Sequence, residues 1–100
     1  MYFSGDGVLQ SYSEALKWYR RAAEQGHKIA ETNLGKMYMN GYGVTQDYAR
    51  AHMWFNISLA NGYEGTSDWR SIAAAPMTLL QIEKAQDMAR RCVESDYKDC

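Results

Sequence analysis

"MYMNGYGVTQDYARAHMWF" occupies residues 37–55, and its reading decides the fold. Residues 1–19, "MYFSGDGVLQSYSEALKWY", form a second copy of it. At a shift of 36, ten of the 26 positions in 1–26 are identical to those in 37–62. The identities include Met1 with Met37, Gly5 with Gly41, Gly7 with Gly43, Ala15 with Ala51, and Trp18 with Trp54. A fixed period of about 20–50 residues marks a solenoid or array, in which one unit stacks on the next.

Within the unit the periodicity is helical. Ala30, Leu34, Met37 and Tyr38 fall at i, i+4, i+7 and i+8, one face of a helix over about 28–40. Gly41 follows, where a left-handed helix end favours glycine. After the "GYGV" loop, Tyr48, Ala51, Phe55 and Leu59 make a second stripe, a helix over about 47–61 that ends at Gly62. The first copy predicts the equivalent helix over about 11–25, opened by a capping box of Ser11 and Glu14. Gly35 sits mid-helix, at a cost of about 1 kcal/mol relative to Ala. The expected compensation is a close helix approach, with a Tyr or Trp of the partner helix filling the space.

These spaced positions carry a family resemblance. "NLGKMYMNGYGVTQDYARAHMWF" resembles the Sel-one-like repeat, a relative of the tetratricopeptide repeat. The resemblance runs almost throughout 27–62 and from the "MY" onward in 1–26. It implies an all-α solenoid of helix–turn–helix repeats with a concave binding groove, and it implies no reaction. After Gly62 the pattern decays. Thr66 stands where the family has Ala, and Arg70 where it has Leu. A short degenerate helix is expected over 66–74. Pro76 breaks the chain, and a capping box of Thr78 and Gln81 opens a last helix over about 78–94, with Leu80, Ile82, Ala85, Ala89 and Cys92 as its stripe. That helix resembles the terminal segment of the family and fits a solenoid cap. The chain is thus read as a single repeat domain over 1–100: an incomplete first repeat over 1–26, a complete one over 27–62, and a degenerate repeat with its cap over 63–100.

Met1 aligns with Met37, so most of one helix is expected to be missing before the first copy. That would leave Trp18 and Tyr19 on an open apolar face. Such a face marks an interaction site, covered either by an upstream segment or by another copy of the chain. Self-association through Trp18 and Tyr19, giving a homo-oligomer, is therefore one functional reading.

In cysteine-rich secreted members of the family, a C-x7-C pair staples one helix to the next. Cys92 and Cys100 occupy the corresponding positions, so the resemblance implies a disulfide between them. It would place the protein in a periplasm or outside the cell. On a continuous helix the two would rise about 12 Å apart, so the helix has to stop between them. The alternative is a pair of free thiols, which would suit a cytoplasmic protein.

Net charge is −1, from 11 Lys and Arg against 12 Asp and Glu, so no basic excess exists to neutralise phosphates. Nucleic acid is not expected as a partner. No apolar run approaches the roughly 20 residues of a membrane span, and no membrane association is expected. "GDGV" and "GYGV" lack the preceding strand of a phosphate loop and are read as turns. His27 and His52 lie far from the cysteines, so no metal site is expected, and no cofactor. His52 reads as half-buried beside the core stripe. No carboxylates converge and no nucleophile has a base, so no catalytic residue is expected. Lys17, Arg20, Arg21 and Lys28 read as a solvated basic face.

The function expected is a non-enzymatic adaptor or scaffold that binds a protein or peptide. Asn33, Lys36 and Asn40 lie off the core stripe and are the expected groove residues. The resemblance makes Asn33 a groove position, where an amide can donate to and accept from a peptide backbone; a helix-to-helix hydrogen bond is its alternative. Weak binding or hydrolysis of a β-lactam, an activity credited to cysteine-rich secreted members, is the remaining alternative.

Overall fold

A computed structural model describes residues 12–98 and 100. Five α-helices follow one another: α1 (Tyr12–Ala23), α2 (Lys28–Asn40), α3 (Tyr48–Ala60), α4 (Thr66–Ala74) and α5 (Leu79–Glu94). Among the described residues there is no strand. The all-α repeat architecture is the one the periodicity predicts. The expected Ser11 capping box and the first turn of the first copy lie outside the described residues.

Each helix is bounded by local chemistry. α2 starts at His27, whose Nδ1 accepts from Ala30 N at 3.3 Å. It ends at Gly41, in the left-handed conformation with φ 72°, where a side chain would be strained. Asp47 caps α3 through its carboxylate, which accepts from Arg50 N at 3.1 Å. Thr78 and Gln81 form the predicted reciprocal capping box on α5.

The core is centred on α3, which packs against α2, α4 and α5. This is why residues 51–55 are buried without a break: a helix enclosed by three neighbours has little solvent face. Trp54, Phe55, Met53 and Ile57 are its largest buried side chains, each worth about 1.5–3 kcal/mol in transfer from water. The single stripe expected on this helix is therefore corrected. Tyr48 stands at the open first turn and is exposed, and Leu59 is only half-buried. His52, expected half-buried, is enclosed with its neighbours in 51–55. On α5, Leu80 is likewise exposed, because only the Ala85, Ala89 and Cys92 face meets the core. At Gly35 the close approach is as expected, but the ring that fills the space is Phe55, not a Tyr or Trp.

The two departures from the family pattern have structural reasons. Thr66 is fully buried. Its hydroxyl lies 2.6 Å from Thr32 Oγ1 and 3.2 Å from Ser58 Oγ. Thr32 and Ser58 are 2.8 Å apart, and Ser58 donates to Lys28 O at 2.7 Å. This closed hydroxyl cluster joins α2, α3 and α4 and satisfies its members internally. Arg70 donates from Nη1 to Asn56 Oδ1 at 3.0 Å, which ties α4 to α3.

Candidate functional site: a cavity on α2

Asn33, Lys36 and Asn40 fall at i, i+3 and i+7, so one face of α2 carries all three. They line one cavity of about 280 Å³ together with Tyr12 and Tyr42. The two tyrosine rings stack, with centroids 4.7 Å apart and planes 3° apart. Gly43 makes this possible. Its φ is 74°, and a Cβ there would meet the Tyr12 carbonyl oxygen at 3.1 Å. The loop can therefore press against the start of α1 and bring Tyr42 onto Tyr12. These tyrosines were not anticipated as site residues. The sequence signal was their repeat register, since Tyr12 heads one helix and Tyr42 sits between the two loop glycines of the next copy.

The polar chemistry of the wall is uneven. Several carbonyls in the last turns of α2 find partners beyond the helix ladder. Lys36 O accepts from Asn40 Nδ2 at 3.0 Å. Met37 O accepts from Gly41 N and Tyr42 N, Tyr38 O from Asp47 N, and Met39 O from Gln46 Nε2. Among the described residues the Asn33 amide makes no hydrogen bond, so the helix-to-helix bond considered for it is not seen there. The Lys36 ammonium sits 4.3 Å from the centroid of the Trp69 ring on α4, a cation–π contact, and makes no ion pair among the described residues.

The remaining predicted residues lie elsewhere. Trp18 is 54% exposed, with the Arg21 guanidinium 5.5 Å over its ring. Tyr19 is partly buried and packs against the core, so it does not share an open face with Trp18: the α1 face that packs on α2 carries it inward. Arg20, read as part of a solvated basic face, pairs with Glu24 and donates to Tyr38 OH.

Cys92 and Cys100 are joined by a disulfide, with Cα atoms 4.6 Å apart. α5 stops at Glu94, and Asp96 and Tyr97 take left-handed backbone, turning the chain back. The turned segment reaches two further groups. Cys100 O accepts from Arg50 Nη1 at 2.7 Å. Tyr97 OH accepts from Asn61 Nδ2 at 3.3 Å. The same Asn61 nitrogen donates to both oxygens of Glu31, at 2.9 and 3.1 Å. Glu31 is fully enclosed. Burial pushes its carboxyl above the usual range, against the opposing pull of Asn61, Tyr97 and His27.

Among the described residues no group of three or more His, Cys, Asp or Glu is placed to hold a metal ion. No helix among them is long and apolar enough to cross a membrane.

A sequence model of the Sel1 repeat matches residues 1–27 and again residues 28–63. No curated protein and no solved structure matches the chain.

Proposed function

The chain belongs to the Sel1 repeat family, and on that premise we propose that it is a non-enzymatic adaptor that holds a segment of a partner protein in the cavity on α2. Sel1 repeats are in general protein-interaction modules. The observation that carries the assignment is the convergence of Asn33, Lys36 and Asn40 on one cavity beside a stacked tyrosine pair. An uncommitted amide and an aromatic wall suit an extended peptide, which needs backbone partners and flat apolar contact. The disulfide suits an oxidising compartment, a periplasm or the cell exterior.

The test is calorimetric titration with a peptide selected on the folded chain from a random display library. The double variant Asn33→Ala, Lys36→Ala should bind at least about tenfold more weakly, the loss of one or two interface hydrogen bonds, with unchanged far-ultraviolet circular dichroism. Equal affinity would remove the cavity from the account.

A second reading, self-association, is favoured by the exposure of Trp18. Light scattering over a concentration series tests it: a mass that rises with concentration and falls in Trp18→Asp supports it, and a constant monomer mass ends it.

A further inference from the structure

We propose that the α2 cavity reads an acidic side chain, the carboxylate of an Asp or Glu on the partner segment; this rests on the peptide-binding assignment above and specifies its ligand. The wall carries one cation, Lys36, beside the Asn33 and Asn40 amides, which can both donate and accept. Among the described residues no Asp or Glu lines it. The carbonyls of Lys36, Met37, Tyr38 and Met39 near the end of α2 are already bonded to Asn40, Gly41, Tyr42, Gln46 and Asp47. What remains is the Lys36 ammonium, the Asn33 amide and the second N–H of Asn40. The neighbouring acids are engaged elsewhere. Glu31 is enclosed and bonded to Asn61, and Asp47 caps α3 and pairs with Arg50.

The Trp69 ring fixes the cation. A lysine on an open helix face samples many rotamers and loses that freedom on binding. Lys36 is already held 4.3 Å from the Trp69 centroid, so less freedom remains to be lost. A carboxylate offers two acceptor oxygens and no hydrogen, which matches an ammonium and an amide side by side. A carboxamide of the same shape can still pair with the Asn33 amide but brings no charge to the Lys36 ammonium, and the loss of that charge-assisted bond is the source of discrimination. At about 280 Å³ the cavity falls just below the range of ligand pockets, about 300 to 1,000 Å³. It takes one side chain, with the partner's backbone crossing its mouth.

The test uses the whole chain, labelled with nitrogen-15, and reads the Asn33 side-chain amide during titration. The first titrant is an alanine pentapeptide with a central Glu and both ends blocked. The second carries Gln in place of Glu. The third is all-alanine with a free C-terminal carboxylate. The fourth is the display-selected peptide. The Glu peptide should shift the Asn33 amide saturably, at least about tenfold more tightly than the Gln peptide, and more weakly as salt is added. Lys36→Gln should abolish the shift, and Lys36→Arg should retain most of it. Equal binding of the Glu and Gln peptides, or a response to the free C-terminus alone, overturns the inference. If only the selected peptide shifts Asn33, the carboxylate reading falls and the peptide-binding assignment stands. If none of the four does, both fall.

Discussion

The Phe55 ring lies directly against Gly35, so that a Cβ at position 35 would stand 2.5 Å from Phe55 Cε1. This contact sets the distance between α2 and α3, and with it the position of the α2 face that carries Asn33 and Lys36. Gly35→Ala would gain about 1 kcal/mol of helix propensity but overpack a rigid ring, at about 1–3 kcal/mol. A net loss of up to about 2 kcal/mol in urea unfolding is expected. Adding Phe55→Leu to Gly35→Ala should recover part of it, because the ring is what the new methyl meets. A Gly35→Ala variant more stable than wild type would contradict this packing.

The disulfide closes a short loop over Cys92 to Cys100, a sequence separation of 8. The loop-entropy relation gives about 2.5 kcal/mol for such a closure. Cys92→Ser with Cys100→Ser should lose about that much, and adding a dithiol to wild type should lower its unfolding midpoint to that of the variant. Reduction should also free Tyr97 from Asn61, which amide hydrogen exchange would report at both ends of the loop.

Burial raises the Glu31 carboxyl above its ordinary 4.5, so the folded state holds this proton more tightly than the unfolded chain. The stability this contributes is complete below pH 4.5 and is lost as pH rises through the raised folded value. Compared with Glu31→Gln, wild type should therefore lose stability from weakly acidic pH upward and then level off. Denaturant unfolding of both proteins across that range checks it, and parallel curves would contradict the burial of this carboxyl.

His52 moves the other way. Desolvation, followed by the nearby Arg70 charge, lowers it below 6.5. Asn56 gives its oxygen to Arg70 and its Nδ2 lies 2.9 Å from His52 Nδ1; this network assigns the proton of neutral His52 to Nε2. Its contribution to stability is present above pH 6.5 and lost as pH falls through the lowered folded value. Proton resonance titration of the His52 ring should give a midpoint below 6.5, and Arg70→Leu should raise it. A midpoint at or above the ordinary value would contradict the network.

Much of the helical framework could be read from apolar spacing and caps. The sequence placed α2 at 28–40 and α4 at 66–74, as observed, because Gly41 and Pro76 punctuate the chain where the apolar pattern stops. Tyr48 and Leu80 were misplaced for one reason: periodicity identifies a face but not how far along the helix a neighbour covers it. The His27 cap was not legible, because histidine rarely caps a helix, although its position one residue before α2 carries the signal. The buried polar groups were not legible. Glu31 and Thr32 interrupt an apolar stripe with residues that usually face water, and only the folded chain brings Asn61, Ser58 and Thr66 to them. The cavity was legible in part. Asn33, Lys36 and Asn40 follow from helix geometry, whereas Tyr12 comes from the preceding repeat, and the Trp69 ring that holds Lys36 comes from the following one.

The central claim is that the partner lies on α2. A second groove, lined by Asn56, Ala60, Gln86 and Val93 between α3 and α5, is the competing location. The most direct test is to map the amide shifts of the whole chain on adding the display-selected peptide. The largest changes are expected at Asn33, Lys36, Asn40, Tyr42 and the Trp69 indole. Changes centred on Asn56, Ala60, Gln86 and Val93, with α2 undisturbed, would contradict it.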